Sequence, residues 1–298
     1  MCIRDSTTII GNLSDRGLVK KAMQGVDYVL HAATLHKPHV ATHSKQDFID
    51  SNITATLNLL EEAKIQGVKA FIFTSTTSTF GDQLNPKPPK PAIWVTEEIV
   101  PIPKNIYGVS KTAAEDLCQL FYRNHQLPCL ILKTSRFFWE KDDKKELREA
   151  YDDSNIKANE YLHRRVDVAD IVDAHLLAIE KAESIGFGKY IISASTPFTE
   201  AHLDQLNKDA PSVVRKLFPE LEKIYDLQNW QMFPQIERVY VNEKARRELN
   251  WQPKYDFAHV LNCLREGISF RSPLSLEIGV KGYHEEVFED GIYPVEEV

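Results

Sequence analysis

The chain has 298 residues, 43% hydrophobic and 27% charged, with a formal net charge of -7. That length buries a sizeable core and stands where one domain gives way to two, while the acidic balance argues against a general nucleic-acid binder, which would show a basic patch or stripe. No apolar run reaches the length of a membrane span, and the opening MCIRDSTTII lacks the layout of a signal peptide, so neither nucleic acid nor membrane is expected as a partner.

In chain order, VDYVLHAA (Val26–Ala33) reads as a buried strand. A helix is expected from about Gln46 to Lys64, with Phe48, Ile49, Ile53, Leu57 and Leu60 on one stripe. AFIFTST (Ala70–Thr76) is the next strand. The proline-rich Gly81–Trp94 reads as a long loop without regular structure, at the carboxyl end of that strand, where open α/β sheets place ligands. A helix holding Tyr107 leads into a strand at Cys129–Ser135. The charge run Trp139–Asp153 reads as a solvated helix or flap rather than a partner-binding surface. VDVADIVDAHLLAIEKA begins a helix with Asp170 in its N-cap region, and Lys189–Ser195 is a further strand. Such alternation implies right-handed crossovers and a doubly wound parallel sheet with helices on both faces, an α/β fold. From Thr196 the pattern turns mostly helical, with a short strand near ERVYVN, which suits a smaller second lobe. The expected division is 1–135 with 165–195 for the sheet domain, and 136–164 with 196–298 for the lobe. Cys2, Cys118, Cys129 and Cys263 lack metal-ligand or redox spacing; they are read as reduced thiols of a cytosolic protein, with no metal site.

Chemistry concentrates in NIYGVSKTAAEDL. Tyr107 and Lys111 stand one helical turn apart and share a face. A free phenol ionises near pH ~10, and a neighbouring ammonium lowers that value, making the tyrosine a usable acid or base. Alone, the spacing also fits an amphipathic helix with an exposed lysine. Three further pieces stand before it: a strand ending in small residues, His31–Ala33; a helix carrying Asn52; and the hydroxyl-rich turn Thr74–Gly81.

In that order the pieces resemble the extended short-chain dehydrogenase/reductase superfamily, most closely its sugar-nucleotide epimerase/dehydratase branch. VNEKARRELNWQPKYDF is similar to that branch's terminal signature, with Asn250 where a glycine is usual. The resemblance implies a Rossmann-type fold, NAD or NADP as cofactor, a small-molecule substrate and a homodimer. It makes Tyr107 the acid/base, Lys111 its pKa modulator and ribose ligand, and Thr76 the hydroxyl that bonds the reacting oxygen. Asn12, Leu13, Ala32, Ala33 and Asn52 would meet the cofactor together with Tyr107 and Lys111. Thr77 and Ser78 would face substrate, and Arg136, Arg164 and Arg238 would grip an anionic part of it, unless they serve as surface ion pairs.

Dehydratases of the branch carry Asp-Glu where this chain has Thr77 and Ser78. That leaves epimerisation or simple alcohol/carbonyl oxidoreduction of a sugar or nucleotide sugar. A carbonyl reductase of a non-sugar small molecule, or a non-catalytic cofactor sensor or scaffold, stays open. The branch also begins with a strand, glycine-rich turn and helix, whereas Gly11 stands alone before Asn12. Roughly 30–45 residues, one βαβ segment, are expected to be missing, so that this chain alone would hold cofactor weakly.

Overall fold

The computed structural model describes residues 6–86, 89–280, 282, 284 and 288; Cys2 and two positions of the proline-rich loop, 87 and 88, lie outside them. β-branched and aromatic runs form β1 (Tyr28–His31), β2 (Ala70–Thr76), β3 (Ile93–Val95), β4 (Cys129–Thr134), β5 (Phe187–Ile192) and β6 (Arg238–Tyr240). Helices fill the intervals: α1 (Arg16–Ala22), α2 (Lys45–Phe48), α3 (Ala55–Gln66), α4 (Ile106–His125), α5 (Lys145–Ala150), α6 (Asp153–Glu160) and α7 (Val168–Ile185). Then come α8 (Leu203–Leu217), α9 (Leu221–Gln228), α10 (Glu243–Glu248), α11 (Phe257–Glu266) and α12 (Pro273–Ile278).

The main sheet is parallel with order β1-β2-β4-β5, and registers Leu30 beside Ile72 and Ile72 beside Leu130. The two-residue pleat sends alternate side chains of β2 to opposite faces. Phe71 and Phe73 join Leu59, Leu60, Ala114 and Phe121 beneath α3 and α4. Ala70 and Ile72 join Ala174, Ala178, Tyr190 and Trp251 beneath α7 and α10. Every residue of β4 is buried, as a strand covered on both faces requires. Truncating Phe73 here would cost about 3–5 kcal/mol. The doubly wound parallel fold is as expected.

A further apolar cluster draws on Trp139, Tyr161, Leu162, Leu206, Val214, Tyr225, Phe257, Leu261 and Phe270, from the helices α8, α9 and α11 and the segments after β4, α6 and α11. Against it the structure corrects the loop expected at Gly81–Trp94. The loop ends in β3, which pairs in parallel with β6 as a second small sheet, Trp94 beside Val239. The prolines precede that pairing and leave it intact.

Other boundaries differ for local reasons. The expected 46–64 helix is α2 and α3 joined by a π-helical stretch, Ile49–Thr54, a device common at functional sites. α7 is capped by Asp167, whose side chain accepts from Ala169 N, and not by Asp170. Asp170 is instead buried, accepting from Lys254 N at 2.9 Å and Tyr255 N at 3.1 Å. The charge run 139–153 is solvated only in part: α5 has no buried residue, but Trp139, Asp142 and Asp143 are buried.

Candidate active site

The carboxyl end of β2 passes into a 3-10 turn, Thr77–Phe80, that stops at Gly81. Gly81 has φ +54°, and a Cβ there would stand 1.8 Å from the Ile102 carbonyl, so the turn demands glycine. Asn105 caps α4 by accepting from Gly108 N at 3.1 Å. Gly108 also lets the helix start close under the turn, since a Cβ would lie 2.9 Å from Pro103 Cβ and 3.3 Å from the Ser78 carbonyl. Tyr107 is thereby brought to the same wall as Thr76, whose Oγ1 accepts from Ser78 N at 3.1 Å.

These groups open onto a cavity of about 760 Å³. Of the residues singled out in the sequence, Ala32, Ala33, Thr76, Thr77, Ser78, Tyr107, Lys111 and Arg136 line it. Asn12, Leu13, Asn52, Arg164 and Arg238 do not. Asn12 accepts from Ser14 N at 2.9 Å, and the Leu13 carbonyl accepts from Asn58 Nδ2 at 3.0 Å, which holds this segment against α3. Asn52 is buried behind the wall. Its Oδ1 accepts from Leu35 N at 2.8 Å, and its Nδ2 donates to the Leu35 carbonyl at 2.8 Å and to Ser110 Oγ at 2.9 Å. The π-helical stretch thus ties the loop after β1 to α4. His36 and His175 also line the cavity without having been singled out; His175 Nε2 meets Thr74 Oγ1 at 2.7 Å.

The electrostatics correct one expectation. Burial pushes the Tyr107 phenol up to about 12, against the opposing pull of the Thr76 hydroxyl. Lys111 is engaged elsewhere: its Nζ donates to the Thr74 carbonyl at 2.6 Å and lies 4.0 Å from the centre of the Phe73 ring. Burial draws this ammonium down to about 7, with Glu115 pulling the other way. His31, bonded to Thr56 Oγ1 at 2.9 Å, is driven down to about 3 by burial and by Lys111. His36 is lowered to about 4, chiefly by burial and by His39. Both rings are therefore neutral near neutrality.

Arg136 is more heavily paired than a surface arginine. It contacts Asp142, Asp143 at 2.7 Å and Glu160 at 3.0 Å. Burial alone would raise the Glu160 carboxyl, but the guanidiniums of Arg164, Arg136 and Arg165 outweigh it and hold it well below its usual range. Arg164 meets Glu160 at 2.9 Å, and Arg238 reaches the Leu84 carbonyl at 3.4 Å. The Nε groups of Arg164 and Arg238 and Nε2 of His163 are buried without hydrogen-bond partners.

This arrangement has relatives. UDP-arabinose 4-epimerase 1 of Arabidopsis thaliana is 26% identical over 279 residues, covering 83% of this chain and 62% of that protein. The dTDP-D-glucose 4,6-dehydratase of Dictyostelium discoideum is 30% identical over 139 residues, 44% of this chain and 32% of the relative. The chain thus spans less than two thirds of the length of these curated relatives. Among solved structures, UDP-glucose 4-epimerase from Thermotoga maritima with UDP-glucose superposes with a TM-score of 0.57 at 22% identity, over 89% of this chain and 86% of that one. A short-chain dehydrogenase/reductase superfamily protein from Agrobacterium tumefaciens with bound NAD gives 0.59 at 18% identity, over 89% and 87%. These two show the fold. The NAD dependent epimerase/dehydratase family model matches residues 2–192, nearly two thirds of the sequence and the whole of the sheet that carries the cavity, and the chain belongs to that family.

Proposed function

We propose that the chain is the catalytic body of an NAD(P)-dependent epimerase that reversibly oxidises a hydroxyl of a nucleotide sugar. The observation that carries this reading is the convergence of Thr76, Tyr107 and buried Lys111 on one cavity wall. The residues fit the nicotinamide-ribose end of the cofactor. Lys111 has three N–H donors and one acceptor in the Thr74 carbonyl, leaving donors for ribose hydroxyls, and Ala32 and Ala33 are small and exposed beside it. Among the described residues no glycine lines the cavity, so that lining supplies no glycine-rich pyrophosphate cradle.

The chemistry supplied by a bound nicotinamide is reversible hydride acceptance. Thr76 Oγ1 holds the reacting oxygen and stabilises its developing negative charge. Tyr107 takes the hydroxyl proton and later returns it; a protonated Lys111 lowers the cost of the phenolate. The turn holds Thr77 and Ser78 and no carboxylate, and Asp143 on the far wall is occupied by Arg136 and Lys37. The bare turn favours epimerisation over dehydration, which needs a carboxylate at that turn to move a proton on carbon or water; the cavity's other carboxylate, Glu140, comes from the segment after β4. Arg136, the one of the three expected arginines that lines the cavity, is neutralised by its own carboxylates, and Arg164 and Arg238 lie outside the lining, so none of them is assigned to an anionic diphosphate.

The test is incubation with UDP-arabinose, UDP-glucose and UDP-N-acetylglucosamine and saturating NAD, reading products by NMR and absorbance. A C4 epimer without net NADH formation is expected. Stoichiometric NADH would make the protein a dehydrogenase or reductase. Cofactor binding with no turnover of any sugar would favour the sensor or scaffold.

A further inference from the structure

We propose that Glu115 is a positioning residue for the Thr76–Tyr107–Lys111 site: one buried carboxylate that clamps the hydroxyl turn from below and supplies the counter-charge for Lys111. The inference rests on the reading of that site as catalytic. Tyr107, Lys111 and Glu115 follow one another at four-residue steps along one face of α4. Glu115 Oε1 accepts from Ser75 Oγ at 2.5 Å and from Lys133 Nζ at 2.5 Å, and Lys189 Nζ stands 3.1 Å from Oε2. Lys133 reaches on to Thr79 Oγ1 at 2.7 Å, and Thr79 Oγ1 donates to the Thr76 carbonyl at 2.9 Å. Thr76 is therefore held on both sides, at Ser75 before it and at Thr79 after it, by arms that meet at one carboxylate.

Such a cluster is a poor way to fill a core. Desolvating a carboxylate and its ammonium partners costs several kcal/mol per ion, and an apolar replacement of the same volume is commonly as stable or more so. What the cluster supplies is fixed geometry and charge. Lys111 is faced by Tyr107, Glu115 and Cys118 from its own helix, by Lys133 from β4, by His31 from β1 and by His36 from the loop beyond. Glu115 is faced by Lys133 and Lys189, with Asp116 3.9 Å from Lys189. The histidines are neutral, so Glu115 opposes and Lys133 promotes loss of the Lys111 proton. Glu115 stands one helical turn beyond Lys111 on the same face, close enough for its charge to weigh on that ammonium.

The experiment is a pH titration of Lys111 by NMR in lysine-labelled protein without cofactor, with the pH dependence of turnover beside it. Glu115→Gln should lower the Lys111 midpoint by about 1 pH unit or more and move the alkaline limb of the rate profile down with it, leaving KM little changed. Lys133→Met, which keeps Glu115 and removes a repelling ammonium, should move the midpoint upward. A folded Glu115→Gln variant with an unmoved midpoint, or both variants moving it the same way, would overturn the proposal. Should Glu115→Gln fail to fold, Lys133→Met decides by the sign of its shift. If the parent turns over no nucleotide sugar, the catalytic reading fails on its own while the NMR arm still judges the charge pairing.

Discussion

Tyr107 is a phenol that its surroundings keep protonated. Burial raises it to about 12, so taking a substrate proton depends on a cation arriving at its side and on Thr76 sharing the oxygen. Replacing it with phenylalanine removes one hydroxyl and leaves the ring that packs near His36, with centroids 6.3 Å apart. Tyr107→Phe is therefore expected to keep its melting temperature within a few degrees while turnover falls by ~100-fold or more; a variant with near-parental turnover would remove Tyr107 from the chemistry. The residues that share the cavity wall are those whose spacing carries chemistry: the tyrosine and lysine one turn apart, the threonine at a strand end, the paired alanines. Asn52 shows the limit of such reading. An amide can serve a ligand or the backbone equally well, and here both its ends are taken by Leu35 and Ser110. Glu115 could have been found from its step of four beyond Lys111. A glutamate at that spacing ordinarily reads as a solvated helix residue, and only the tertiary fold puts two lysines against it.

At the scale of elements, β2 was legible to the residue because its apolar run stops at a hydroxyl turn. β1 is shorter than its apolar run, since Ala32 and Ala33 leave the ladder to reach the cavity. The π-helical stretch had no signal, because its residues fit an ordinary helical stripe. β3 had none either, as three residues after a proline cluster become a strand only when Arg238–Tyr240 comes alongside. The helices also bear on assembly. Phe121 is buried against the sheet, Leu117 packs partly on it and Tyr122 stacks on Phe187, so these apolar residues are spent within the chain. Val109, Leu120 and Ile49 remain 48%, 45% and 37% exposed on the outer side of α4 and its neighbour. Residues of this kind on two adjacent helices suit a two-fold, self-complementary contact. Light scattering at micromolar concentration is expected to give a dimer, and Leu120→Glu a monomer; a monomeric parent would contradict this.

For the molecule as a whole, strand and helix alternation fixed the parallel sheet and its layers, while the strand order β1-β2-β4-β5 and the small second sheet came from long-range pairing that no local pattern encodes. Among the described residues β1 is an edge of the main sheet, and Tyr28 and Leu30 on it and Val172 and Leu176 on α7 are exposed. The fold nonetheless closes one cavity over Thr76, Tyr107 and Lys111, between the sheet and the loop that carries Arg136 and Asp143. The central claim is that this cavity moves a hydride off a sugar carbon and back while Tyr107 handles the proton. A nucleotide sugar carrying deuterium on the carbon of the reacting hydroxyl tests it most directly, with saturating unlabelled NAD and mass spectrometry of the product. The predicted result is an epimer that retains the deuterium at that carbon. An epimer that has exchanged it for a solvent proton would contradict the account.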